Sequence, residues 1–174
     1  MLRCARIITL GHGLFALLMA ALLLGSFSKG FAQGSAISTV TTSDHRKSNQ
    51  SKVFYHGGKW WAVAYDSSKA SWYIWKFEDP VWVSHKVVQA GADNNLDVLV
   101  DSTTNKLYVV SSHSSQSRFR RFSYSAGVWN LDPGFAVAFT VFTNPNGNNP
   151  INLVKAKNGE LWLFRINGNK LQAK

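Results

Sequence analysis

The sequence predicts an all-β protein, more specifically a β-propeller of four-stranded antiparallel blades. Residues 58–64, 105–111 and 159–165 each begin with a turn residue and a charge, and continue as an apolar run containing an aromatic residue. Such a pattern is typical of a strand that leaves a hairpin. The three stretches begin 47 and then 54 residues apart. Repeats of about 40–50 residues are typical of propeller blades.

The composition supports one packed domain. Of the 174 residues, 45% are hydrophobic and 13% aromatic, which argues against a disordered chain. Cys4 is the single cysteine. Since it lies in the predicted leader, no disulfide is expected within the mature chain, which must depend on its own core.

The formal net charge of +10 is spread over the chain. Lys and Arg occur singly in strands and turns, and only Arg118, Arg120 and Arg121 form a cluster. A scattered basic excess is typical of a solvated surface, so no nucleic-acid partner is predicted. A glycan or another anionic surface ligand is the candidate partner.

The N-terminal part is predicted to direct export. Residues 1–32 resemble a signal peptide, with Arg3 and Arg6 before the apolar run 14–24 and small residues at a cleavage site. An uncleaved membrane anchor is the alternative, because the uncharged run is long enough to span a bilayer. Residues 33–51 are rich in Ser and Thr and are predicted to be a flexible segment.

The first blade is predicted over residues 52–88. Its separators contain Gly-Gly, Asp-Ser-Ser and Asp-Pro, which favour tight turns. Four strands joined by short hairpins form one propeller blade. The predicted strands are 52–55, 59–65, 71–77 and 81–88.

A second blade is predicted over residues 96–142 and an incomplete third over 151–174. The second blade is predicted to contain a long separator, 125–134, before its last strand at 135–142. About two and a half blades leave apolar faces open, since a propeller needs about four to eight blades. The sequence is therefore predicted to be the N-terminal piece of a longer protein, with a β-sandwich of about ten strands as the alternative. The other predicted strands are 96–100, 106–112, 118–124, 151–156, 160–166 and 170–174.

The repeated aromatic position is predicted to be core. Trp61, Tyr108 and Trp162 occupy the same place in the three units and are expected to pack between neighbouring sheets. On the first of these strands, Trp61 and Trp60 point to opposite faces. Trp60 is the candidate for an exposed platform on which a sugar ring stacks.

Few residues form a pattern that predicts chemistry. The histidines lack metal-ligand spacing, and no nucleophile or phosphate-loop motif is present, so no catalytic residue, metal or cofactor is predicted. Asp93, Asp97 and Asp101 are interpreted as strand-end and turn residues. Arg118 and Arg120 share a strand face, where they would either grip a carboxylate or protect a charged edge strand.

The repeated stretches, such as 58–63 and 159–164, resemble secreted bacterial β-propellers of the sialidase-like superfamily, although the Asp-box of that family is absent. The resemblance covers about residues 52–174. Residues 164–167, Phe-Arg-Ile-Asn, are similar to the Phe-Arg-Ile-Pro motif of sialidases. By that resemblance, Arg165 would bind the carboxylate of a substrate.

Together these observations predict a secreted β-propeller that acts as a binding or scaffolding module, with glycans as the candidate ligands. The alternative is the N-terminal part of a sialidase-like glycoside hydrolase whose catalytic residues lie elsewhere. The expected location is outside the cell, in the periplasm or in the cell envelope. The candidate ligand-binding residues are Trp60, Arg118, Arg120 and Arg165.

Overall fold

The computed structural model describes residues 37, 52–91, 95–112, 117–139, 151–167 and 169–174. The predicted signal peptide lies outside these residues, and so does the segment 33–51 apart from Ile37. Within the described ranges, no helix has the length and apolar character needed to cross a membrane.

The described chain forms three antiparallel sheets, which confirms the predicted all-β class. The first sheet has the order β1-β2-β3-β4, the second β5-β6-β7-β8 and the third β11-β10-β9. No described sheet closes on itself. The strands are β1 (Val53–His56), β2 (Lys59–Asp66), β3 (Ser71–Glu78), β4 (Val81–Ala90), β5 (Asn95–Asp101), β6 (Lys106–Ser112), β7 (Ser117–Ser125), β8 (Val128–Phe139), β9 (Ile151–Lys155), β10 (Leu161–Asn167) and β11 (Lys170–Ala173).

The eighth strand begins earlier than predicted. Instead of a separator over 125–134, a two-residue turn at Ala126 and Gly127 connects β7 directly to β8, with φ of 50° and 79°. Two successive positive φ angles give the turn type that matches the twist of a hairpin. Pro133 lies within β8, where it is tolerated because β8 is an edge strand that pairs only with β7.

The largest core lies between the first and second sheets. It combines Trp61 and Val63 of β2 with Leu107 and Val109 of β6, all of them buried. Trp61 and Val63 therefore share a face, as the alternation of the strand predicts. The other buried members are Phe54, Trp72, Ile74, Val88, Leu96, Val98, Phe122 and Trp129.

A second core lies between the second and third sheets. Tyr108 and Val110 of β6 pack there with Ile151, Leu153 and Leu163. Strand β6 thus buries both of its faces, because alternate residues belong to the two cores. The described chain contains three sheets, one more than a two-sheet sandwich.

The predicted packing of the repeated aromatic position holds for two of three units. Trp61 is 0% exposed and Tyr108 is 8% exposed, and each contributes to a core between sheets. Trp162 is 41% exposed, so the prediction is wrong for the third unit. Leu163 belongs to the second core. Trp162 is adjacent to Leu163 in the strand and therefore lies on the opposite face of the third sheet, away from that core.

Candidate functional site

The strand registers define equivalent positions in the three sheets. In each sheet, the repeated aromatic of the second strand pairs directly with an apolar residue of the first strand. In the first and second sheets this pair faces the next sheet and packs against it, whereas in the third sheet it is exposed. The equivalent pairs are Phe54–Trp61, Leu99–Tyr108 and Val154–Trp162.

The opposite faces show the complementary arrangement. On this other face, the second and third sheets pack on the sheet that precedes them in the sequence, whereas the first sheet exposes Val53 and Trp60. Ala62 is buried on the same face, in a cluster against which Ile37 packs. Each sheet has two such cross-strand pairs on this face. The first set of equivalent pairs, in the order of the sheets, is Val53–Ala62, Val98–Val109 and Leu153–Leu163. The second set is Tyr55–Trp60, Val100–Leu107 and Lys155–Leu161.

Two apolar surfaces therefore remain at the ends of the described sheets. We call the exposed corner formed by Val53, Tyr55 and Trp60 the first open face. We call the surface formed by the exposed side chains of the third sheet the last open face. Its members are Val154, Trp162, Ile166 and Leu171.

Trp60 is an exposed aromatic residue, as the platform hypothesis requires. The residue is 51% exposed, and its ring meets the ring of Tyr55 edge-on, with centroids 5.2 Å apart. The preceding residue in the chain, Lys59, is paired, because its Nζ lies 3.2 Å from Glu78 Oε2. Two aromatic rings with a polar rim can hold the apolar side of a flat ligand.

Arg118 and Arg120 do not lie on an edge strand, so that interpretation is wrong. Their strand, β7, is hydrogen-bonded on both sides, by β6 and β8. Arg120 Nη1 donates to Gln89 Oε1 at 2.8 Å, and Ser111 Oγ donates to the same oxygen at 3.0 Å. Since Gln89 belongs to β4, these bonds connect the first and second sheets.

Arg165 is buried in the third sheet. Its side chain is 4% exposed, and Nε donates to Gln172 Oε1 at 2.7 Å across the β10–β11 pair. Burial lowers the pKa of the guanidinium below its ordinary value. The four candidate ligand residues are thus distributed over all three sheets, with only Arg118 and Arg120 on one strand.

An ionic cluster around Asp132 was not predicted from the sequence. The carboxylate accepts bonds from Lys106 Nζ at 3.0 Å and Arg121 Nε at 2.5 Å, and also from the Ser123 hydroxyl. Burial by itself raises the pKa of Asp132, but the Ser123 bond and the two cations outweigh it and hold the pKa below its ordinary value. A carboxylate held charged in this way is a structural anchor and a poor general acid.

Asp97 and Asp101 connect the second and third sheets. Asp97 is buried within β5, where Oδ2 accepts the Leu153 N–H at 2.8 Å, so it is not the strand-end residue that was predicted. Asp101 is the last residue of β5, a strand end as predicted, and its carboxylate pairs with Lys155 and accepts a bond from the Thr103 N–H at 3.0 Å. The bond from Lys155 is the largest cause that lowers the pKa of Asp101. Asp93 lies outside the described residues.

An aromatic cluster with two histidines closes one end of the main core. The ring of Tyr124 lies 4.6 Å from that of His56 and 4.9 Å from that of Trp129. Trp61 Nε1 donates to the His56 carbonyl at 2.9 Å. His85 Nε2 accepts the backbone N–H of Trp129 at 3.1 Å, which requires the neutral imidazole.

We expect His85 to make stability depend on pH. Burial, followed by the nearby Lys76 and Lys86, lowers the pKa of His85 below its ordinary value of 6.5. The unfolded chain therefore binds more protons than the folded chain just below pH 6.5, and the free energy of unfolding should fall as the pH falls through that window. Urea unfolding at several pH values would measure this slope. His85→Gln should reduce it, and an unchanged slope would contradict the assignment.

Among the described residues, no group of three or more His, Cys, Asp or Glu side chains is placed to hold a metal ion. The arrangement that the geometry does provide is a pair of exposed apolar faces on a rigid β framework. No protein-family model matches the chain, and no curated protein matches its sequence.

Proposed function

We propose that the chain is a secreted β-propeller module that binds or scaffolds, and that it works by contact through its two open faces. One observation supports this most directly: Trp60 and Trp162 are exposed at positions whose repeat equivalents are buried or partly buried between sheets. The propeller form is supported by the order of the sheets, each of which packs on its neighbour in sequence.

Apolar surface that stays in contact with water is unfavourable for a folded protein. Burying apolar surface stabilises by about 25 cal/mol per Å². Contiguous apolar patches on a soluble protein commonly mark an interaction site. The exposed residues of the last open face come from all three strands of the third sheet, so they form a continuous surface and are not scattered singly.

Radical footprinting of the protein in the extracellular fraction of its host tests this proposal. Hydroxyl radicals oxidise exposed side chains, so Trp61 serves as the buried standard, and the same Trp residues in the unfolded chain serve as the accessible one. We expect Trp60 and Trp162 to react as slowly as Trp61, because a partner covers both faces. Oxidation of both residues at a rate close to the one they show in the unfolded chain would contradict the proposal.

Glycan binding is a second candidate, favoured by the exposed Tyr55–Trp60 pair. A sugar stacked on this pair would protect Trp60 in the same footprint and leave Trp162 reactive, and sialyllactose and heparin are suitable probes. The alternative of a sialidase-like hydrolase relies on Arg165, whose side chain is buried and bonded to Gln172. The geometry therefore favours a binding module over a hydrolase.

A further inference from the structure

We infer that the outer face of the first sheet carries a binding site for one branched aliphatic side chain, and that Ile37 of the same chain is its ligand. The ligand belongs to the chain itself, so the inference does not depend on what covers the two open faces. We call this the alanine site, and its lining residues are Ala62, Ala64, Tyr73, Trp75 and Trp82.

The alanine site lies on the face of the first sheet that points away from the second sheet. Ala62 and Ala64 alternate along β2 with residues that belong to the core between the first two sheets. The residues paired with them on β3 are Trp75 and Tyr73. Because an Ala side chain ends at Cβ and the paired side chains are large rings, the surface is lower over β2 than over β3.

The other two sheets carry larger side chains at the position of Ala62. Its equivalents in the strand registers are Val109 of β6 and Leu163 of β10, and each packs in a core with the preceding sheet. Ala62 lacks the aliphatic group that makes this contact, and Ile37 supplies one from outside the repeat. This difference favours a single side chain, and not another sheet of the same kind, as the occupant of the site.

The polar groups beside the alanine site already have partners. Trp75 Nε1 donates to the Ala64 carbonyl at 3.2 Å, which ties the indole to β2. Lys69 Nζ lies 4.8 Å from the centroid of the Tyr73 ring and 3.4 Å from Asp66 Oδ2. A neutral aliphatic ligand can cover the rings and leave these bonds in place, so the site favours such a ligand over a charged one.

Burial on this face changes abruptly at the alanine site. The three buried residues of the cluster are each 5% exposed, whereas Val53 and Trp60 on the same face are 57% and 51% exposed. Ile37 packs on the buried cluster. It is also the one large apolar residue in the sequence 33–39, where the others are small or polar. The ligand is thus one aliphatic side chain carried by a polar stretch of chain.

A contact made by one side chain is weak, and attachment to the same chain compensates for this. A ligand on a short tether acts at an effective concentration of about millimolar. Ile37 can therefore occupy the site, although a separate peptide with the same sequence would need a similar concentration to do so. Occupancy by Ile37 of the same chain should also be independent of protein concentration.

NMR spectra of the Trp indole N–H groups in the full chain test the inference, with the peaks assigned by replacing single Trp residues with Phe. Ile37→Ser should shift the peaks of Trp75 and Trp82, which line the site, and leave that of Trp129, in the core on the other face, unchanged. Ile37→Val is the matched control, and it should keep the peaks near their wild-type positions because it retains a branched aliphatic side chain. An unchanged Trp75 peak in Ile37→Ser would overturn the inference.

A synthetic peptide of residues 34–41 tests the class of ligand. At millimolar concentration it should return the Trp75 peak of the Ile37→Ser chain toward its wild-type position. It should shift the wild-type peak less, because the tethered Ile37 competes. A peptide with Ser in place of Ile37 should have no effect. Failure of the first peptide to restore the peak, or equal shifts with both peptides, would overturn the inference. A wild-type peak that moves with protein concentration would assign the ligand to a second copy and would also overturn it.

Discussion

Replacing Trp61 with Ala is expected to lower the free energy of unfolding by about 3–5 kcal/mol, as is typical of a buried aromatic residue. Trp61 is fully buried between the first two sheets, and its ring lies 5.3 Å from that of His85 and 5.9 Å from that of Tyr124. Removal would leave a cavity and free the His56 carbonyl from its 2.9 Å bond. Such a loss is a large part of the about 5–15 kcal/mol that stabilises a domain.

The preceding residue provides a matched control. Trp60→Ala changes the same side chain on the same strand but on the exposed face, and the contact that it removes with the Tyr55 ring is worth about 0.5–1.5 kcal/mol. Urea unfolding of both variants, at a protein concentration at which each sediments as a monomer, would measure the difference. Equal destabilisation by the two changes would show that the first two sheets do not pack as described.

Gly57→Ala is expected to destabilise the protein by about 2–5 kcal/mol. Gly57 has φ of +58°, a conformation that costs an L-residue about 1–2 kcal/mol. An added Cβ would also lie 2.3 Å from Tyr124 Oη and 2.6 Å from two ring carbons, and such overpacking costs about 1–3 kcal/mol. Tyr124 cannot move away easily, since its ring packs on His56 and Trp129.

Gly58→Ala separates the two causes. Gly58 has φ of +77° in the same turn, but nothing lies within 4 Å of its added Cβ. Only the backbone cost of about 1–2 kcal/mol is therefore expected. Thermal or urea unfolding of both variants would compare them. If Gly57→Ala lowered the free energy of unfolding no more than Gly58→Ala does, Gly57 would not lie against Tyr124 as described.

Local patterns in the sequence were sufficient for the strands and most turns. The apolar run of β2 and the Gly-Gly pair at positions 57 and 58 predicted the first hairpin, because strand tendency and turn conformation depend on adjacent residues. The long separator predicted at 125–134 was wrong, since Ala126 and Gly127 alone make the turn. Ala at a positive φ is uncommon, and nothing nearby signalled it.

The functional residues depended more on distant parts of the chain. Arg120 appeared to be a surface cation, but it bonds Gln89, which is 31 residues away in the sequence. Asp97 appeared to end a strand, although its position between Leu96 and Val98 signalled a buried carboxylate that needs a partner. That partner, the Leu153 N–H, is 56 residues away and could not be identified from spacing.

The sequence by itself determined the all-β class, the repeated units and the two faces of each strand. Only the tertiary structure decided which of those faces is covered. Trp60 and Trp61 are identical side chains in one strand, and Trp61 and Trp162 occupy the same place in the repeat. Of these three residues, only Trp61 is buried. Alternation is a local property of the backbone, whereas burial depends on whether another sheet lies opposite, and the order in which the sheets stack determines that.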